Sequence, residues 1–371
     1  MKKTALILFL ILILTMALAA CSDSRTETYH AKVIHARHEA YTEAGRSYSI
    51  QSLDLEFTDG PAAGNTYSAQ VSMDVTNYTS IALYRTGDTV EANIFYNENG
   101  DVDQVSVISL VRTPYLIILA AVFLLLICVI GGFKGFKTIL ALVFTVSAVI
   151  FGLVPLISNG YDPVLSATLV CFVVTVVTMF TVGGLNKKSI SAVLGILGGL
   201  ICTGVITLLF SSLMRVTGIE TAEVGLLMIS DTDISFNYQG ILTAGILIGC
   251  IGAVMDVGMS ISSAINEMHT IDPALSQKKL FSSGLAVGRD IIGTMANTLI
   301  LAYTGGSLML MIVWSVYGVS FADMINKSFI VLEVAKALCG SIGMVLTIPL
   351  TALIASFLIR IDNADPSAPE S

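Results

Sequence analysis

Residues 245–268 read GILIGCIGAVMDVGMSISSAINEM. The first half is a greasy run of the kind that fills a bilayer core, yet an aspartate, Asp256, stands inside it. About 20 apolar residues cross the hydrocarbon layer, and an Asp at a helix centre costs about 2.5–3.5 kcal/mol on insertion scales. Counted helically, Asp256, Ser260, Ser263 and Glu267 fall on one face, with Asn266 beside them. A membrane helix with a polar stripe is the reading that accounts for both features. Asp256 lies deep in its span, where an ionisable group marks a functional site by default.

Working outward, six more spans are expected at about 114–130, 138–157, 163–182, 190–210, 290–317 and 333–359, besides 240–261. The 290–317 span is interrupted at Gly305-Gly306, as in a broken or re-entrant helix, and Pro349 should kink the last one. Pairs of small residues, Gly195/Gly199, Gly245/Gly249 and Gly340/Gly343, suit close helix packing. Two further polar stripes follow the first. Arg289 and Asp290 precede Thr294 and Asn297; Glu333 and Lys336 precede Gly340, Gly343 and Thr347. If the three stripes turn toward one another they line a hydrated cavity, with Asp256 as a proton or cation site and Arg289, Asp290 and Lys336 as its charge partners. The plainer alternative treats Arg289, Asp290, Glu333 and Lys336 as interfacial residues at helix starts.

Residues 22–112 are of another kind. They hold six Lys/Arg against thirteen Asp/Glu, a net −7 of the chain's −8, whereas charged residues make up only 12% of all 371 positions. Such acidity argues against nucleic acid as a partner. Alternation at Leu53, Leu55 and Phe57, at Val71, Met73 and Val75, and at Val90, Ala92, Ile94 and Tyr96 predicts short strands. The turn signals Asp59-Gly60-Pro61 and Asn97-Glu98-Asn99-Gly100 separate them. About five strands suit a small all-β barrel or sandwich, OB-like in outline. His30, His35 and His38 sit there without an acidic ligand at fixed spacing, so solvated strand residues are expected and no metal site. Cys128, Cys171, Cys202, Cys250 and Cys339 fall in spans and form no metal or redox motif. No cofactor is expected.

Met1-Lys2-Lys3 and the apolar run Ala5–Ala20 form a secretory signal or an anchor. The ending Leu18-Ala19-Ala20-Cys21 resembles a lipoprotein processing site, in which Cys21 is lipidated; the alternative keeps the anchor uncleaved. Either way the β module is delivered outside. The loops agree: Lys134 and Lys137, then Lys187 and Lys188, then Lys278, Lys279 and Arg289, with Arg360 in the tail, fall on one side. The other side holds Arg215 and Lys327 against Asp162, Glu220, Glu223, Asp231, Asp233 and Asp323. The expected plan is therefore a signal or anchor at 1–21, an extracytoplasmic β domain at 22–112, seven transmembrane helices in 113–361 and a cytoplasmic tail at 362–371. It describes an α-helical polytopic protein of the bacterial cell membrane.

These segments resemble the YibE/F family of bacterial multipass membrane proteins. The resemblance rests on 245–268 as quoted, on GRDIIGTMANTLILAYTGGSL (288–308), on GSIGMVLTIPLTALIA (340–355) and on LNKKSISAVLG (185–195). It implies a multipass membrane architecture and singles out Asp256, Arg289, Asp290 and Asn297 as motif positions. It implies no substrate. Members of that family are expected to begin with a plain anchor helix, a departure from the Cys21 context seen here.

The function expected from the stripes is a transporter or permease for a small polar solute or ion. No GxxxxGK[ST] loop is present to couple it to nucleotide hydrolysis. A rival is a scaffold or sensor whose β domain binds a ligand or a membrane protein partner. An embedded enzyme ranks below both: the spans contain no histidine, HExxH or GxSxG, and Asp256 and Glu267 are about 16 Å apart along one helix. The bilayer itself is the remaining expected partner.

Overall fold

A computed structural model describes residues 28–43, 46–74, 83–97, 101–219, 224–225 and 236–359. The anchor or signal at 1–21 with Cys21, Val75, the Glu98-Asn99-Gly100 turn, the acidic loop residues Glu220, Glu223, Asp231 and Asp233, Arg360 and the tail lie outside the described residues. The chain divides into two units, 1–126 and 127–371.

Five antiparallel strands make one sheet in the first unit: β1 (Thr28–Glu43), β2 (Arg46–Phe57), β3 (Thr66–Asp74), β4 (Thr89–Tyr96) and β5 (Val102–Leu110). Their order is β3-β2-β1-β4-β5, and the edge strands β3 and β5 curl toward each other into a near-closed barrel. The alternation seen in the sequence becomes its interior. Leu53, Leu55 and Phe57, then Val90, Ala92 and Ile94, are buried with Ala31, Val33 and Val105. Tyr96 is exposed and ends the pattern. Burying such side chains contributes about 1.5–3 kcal/mol each, which is how a domain without a disulfide holds its shape.

Two polar contacts pin the barrel's connections. The buried Gln51 carboxamide donates to the Tyr84 carbonyl at 2.9 Å and accepts from the Tyr84 amide at 2.8 Å. Asp59 accepts from the His30 backbone amide and contacts its ring Nδ1, both at 2.6 Å. Burial tends to raise the Asp59 pKa, but the hydrogen bonds and charge of His30 outweigh it and hold the carboxyl below its ordinary value. In this turn Gly60 has φ +74° and lies against the Tyr29 ring, leaving no room for a side chain. His38 contacts the Ser49 hydroxyl at 2.8 Å, while His35 is exposed beside a bulge in β1.

The described residues beyond the sheet form helices: α1 (Thr113–Ala148), α2 (Val154–Ser158), α3 (Pro163–Gly183), α4 (Lys187–Leu213), α5 (Tyr238–Ile271), α6 (Gln277–Gly306), α7 (Leu308–Val316), α8 (Phe321–Met324) and α9 (Ser328–Leu358). Side-chain caps fix several starts: Asp162 accepts from Leu165 N, Asn186 from Ser189 N, and Asn237 from Gly240 N. Among the described residues, six helices are long and apolar enough to cross a membrane. The first of them runs from Thr113 to Ser158, 46 residues. At 1.5 Å per residue that is about 69 Å, more than twice a hydrocarbon core. Its backbone leaves helical geometry at Gly132 (φ 54°, ψ −134°), between the two segments that the sequence separates.

Two element starts differ from expectation. The expected start at Asp290 becomes the middle of α6, which begins at Gln277, capped by Ser276. Likewise α9 begins at Ser328 rather than Glu333. Only α6 opens with polar residues, Gln277-Lys278-Lys279, that hydropathy alone assigns to a loop; α9 opens with Ser328 and the apolar Phe329-Ile330-Val331-Leu332, ahead of the charged Glu333. The α6–α7 break does fall beside Gly305-Gly306, at Ser307.

Glycines decide how closely α4 and α9 pack. A methyl group on Gly195 or Gly199 would collide with Thr351 or Thr347, and one on Gly343 with Thr203. The backbones therefore lie within side-chain contact of each other, with buried threonines filling the notches. Ser262 on α5 donates to the Lys188 carbonyl at 2.6 Å and ties α5 to the start of α4.

Candidate functional site: the polar face of α5 and α6

What a membrane helix shows to its surroundings is read from its exposed positions. On α4 the exposed residues from 190 to 210 are Ile190, Leu194, Ile201, Val205, Leu208, Leu209 and Phe210. On α9 they include Val334, Leu338, Ile342, Leu353 and Phe357. Those faces match lipid.

The faces of α5 and α6 do not. From 245 to 267 the exposed residues of α5 are Gly245, Gly249, Gly252, Asp256, Ser260 and Glu267. Ser263, on the same stripe, is half-buried, and the opposite side of the helix (Ile246, Cys250, Val254, Val257, Ile261, Ile265) is core. From 289 to 298 the exposed residues of α6 are Arg289, Asp290, Gly293, Thr294, Asn297 and Thr298. Each set lacks a single large apolar side chain.

The two helices run antiparallel, and three contacts set their register. Gly284 lies against Ile265, Gly340 of α9 touches both Cys250 and Leu299, and Gly249 lies against the Tyr303 hydroxyl. Interpolating, Asp256 falls level with about residues 293–296, next to Thr294 and less than a turn from Asn297. Ser260 falls level with Asp290. Two of the three stripes thus lie at matching depth, and the space above Gly245, Gly252 and Gly293 is open.

Asp256, Arg289, Asp290 and Asn297 make no hydrogen bond or ion pair among the described residues, whereas Thr294 and Thr298 bond back to the Ile291 and Thr294 carbonyls. Arg289 and Asp290, being twelve and thirteen residues into α6, are not helix-start residues.

The third stripe goes elsewhere. Lys336 donates to Glu333 at 2.6 Å, and the other Glu333 oxygen accepts from Ser307 at 3.1 Å. Gly340 is level with Cys250, so Lys336 lies near residue 246 of α5, about 15 Å along the axis from Asp256. Its ammonium does not serve Asp256. Farther along, Gly340, Gly343 and Thr347 are buried in helix packing. Ser307, whose hydroxyl bonds Glu333, carries no sequence signal of its own: a lone hydroxyl in a span is ordinary until the fold places a carboxylate beside it. The outward-facing glycines were legible only as packing residues.

No curated protein and no solved structure matches the chain. A model of YibE/F-like proteins matches residues 119–361, about two thirds of the 371. That span contains α3 to α9, the stripe around Asp256 and the GRDI segment that opens the second stripe. With the motifs, the helices and the family match in agreement, the chain belongs to the YibE/F-like family.

Proposed function

We propose that this protein is a permease of the bacterial cell membrane that moves a small polar solute or ion, with Asp256 as its proton or cation site. One observation carries the reading: the exposed faces of α5 and α6 are polar or side-chain-free at matching depth. Hydrocarbon solvates such a surface poorly, so water, an ion or another protein must lie against it. The α6–α7 break at Ser307 offers a point of movement of the kind discontinuous helices supply in transporters. Counting Thr113–Ser158 as two crossings about Gly132, and α6 with α7 as one, gives seven. The Lys/Arg distribution then favours an external β domain and an internal carboxyl terminus.

The test uses the full-length chain in liposomes holding a pH-sensitive dye. An imposed pH gradient should produce flux in the unsubstituted protein, and Asp256→Asn should abolish it without loss of insertion. Normal flux in the variant removes Asp256 from the coupling role.

One feature favours a second reading, as a scaffold. The open space above Gly245, Gly252 and Gly293 also fits a helix of a membrane protein partner. Cysteines at 252 and 293 that crosslink to another protein in intact cells, in a chain without flux, would select it.

A further inference from the structure

Away from the polar face, α6, α7, α8 and α9 line a half-open cavity of about 230 Å³, with the exposed Phe321, Ile325 and Leu338 at its mouth. That is somewhat below the usual 300–1,000 Å³ of small-molecule sites. Its walls are almost wholly apolar, with Met311, Phe321, Ile325, Ile330 and Leu338 among them. At one place the wall is a carboxylate. Glu333 is the one charged side chain lining the cavity among the described residues, and Lys336 stands outside the lining.

The chemistry of that wall selects a ligand. Each Glu333 oxygen accepts one hydrogen bond, from Lys336 or from Ser307, and a carboxylate oxygen has room for a second. Ser307 both ends α6 and begins α7, so the two helix dipoles oppose one another there and the charge of this wall is that of the Glu333 carboxylate. An anionic head is repelled there. A neutral one leaves an acceptor site unfilled beside apolar walls. An ammonium group fills it, and an apolar body displaces whatever weakly held molecules occupy the remainder.

We propose that this cavity binds a small hydrophobic amine, with its ammonium on Glu333 and Ser307 and its apolar body among Phe321, Ile330 and Leu338. The site stands apart from the permease reading, since binding requires neither Asp256 nor flux.

Trp314, the only tryptophan in the chain, lies one turn beyond Met311 on α7 and stacks on Phe329 at 5.2 Å. Its neighbours Met311 on α7 and Ile330 on α9 line the cavity, close enough for a heavy atom bound there to quench it. The full-length protein in detergent is titrated with 4-bromophenethylamine, a heavy-atom quencher, and with the uncharged 4-bromophenethyl alcohol. The amine should quench Trp314 to saturation and bind at least tenfold more tightly than the alcohol. Glu333→Gln should erase that preference. Ala337→Phe, which keeps the ion pair but fills the cavity, should remove the saturable quenching of both compounds, and it decides the matter alone if Glu333→Gln does not fold. Equal affinity for the two compounds, or saturable quenching that survives Ala337→Phe, overturns the proposal.

Discussion

Lys336 donates to Glu333 at 2.6 Å, one turn away on α9, and so is held away from Asp256, for which the sequence offered it as one of two cations. Asp256 is instead surrounded on its own face by glycine and serine, with Thr294 and Asn297 of α6 at the same depth. A carboxylate so placed must be solvated by something other than a counter-charge among the described residues.

The two sides of the helical bundle should tolerate substitution differently. Gly343→Leu forces a side chain into the Thr203 contact, and overpacking of this kind costs about 1–3 kcal/mol. Gly252→Leu meets open space and should change stability by about 0.5 kcal/mol or less. Thermal unfolding of both variants in detergent, side by side, checks the contrast.

Within the barrel, Gln51→Leu removes both partners of the Tyr84 peptide group at once. Unsatisfied backbone groups cost about 1–3 kcal/mol where they are buried. Tyr84 is only half-buried, which places the expected loss at the low end, about 1 kcal/mol. Hydrogen exchange should speed up at the Tyr84 amide while the β1–β2 ladder keeps its protection.

Asp59 has its pKa lowered in the folded chain. A depressed carboxyl contributes stability above its unfolded pKa near 3.8 and loses that contribution as pH falls through the folded value. Both partners are about half exposed, at 47% and 48%, so solvent screening holds the pair to less than about 1 kcal/mol. Asp59→Asn should therefore weaken the barrel slightly at pH 7 and by almost nothing at pH 2. Barrel unfolding followed by tyrosine absorbance at the two pH values tests the difference.

The sequence revealed the barrel and the spans because their signals are local. Leu53, Leu55 and Phe57 alternate, and a 20-residue greasy run declares itself without reference to anything distant. The starts of α6 and α9 were less legible: Gln277-Lys278-Lys279 reads as loop because hydropathy does not distinguish a helix emerging from the bilayer, and the apolar Phe329–Leu332 is cut off from the rest of its span by the charged Glu333 and Lys336. The relation between the stripes was the least legible. Helical periodicity puts Asp256 and Ser260 on one face and Asp290 and Thr294 on another, but which faces meet depends on glycine contacts such as Gly284 with Ile265, set by packing between distant segments. That packing also buries Gly343 and Thr347 against α4 rather than beside Asp256.

The central claim, that the face of α5 around Asp256 is solvated within the membrane, is open to one direct measurement. Single cysteines are placed at positions 245, 252, 256 and 260, and at the core positions 254, 257 and 261, in full-length protein lacking its six native cysteines. Intact cells are then treated with a membrane-impermeant thiol reagent and the labelling rates compared. The first group should react readily and the second stay protected, with a helical period. Uniform protection across both groups would mean that the polar face is sealed and dry, and would contradict it.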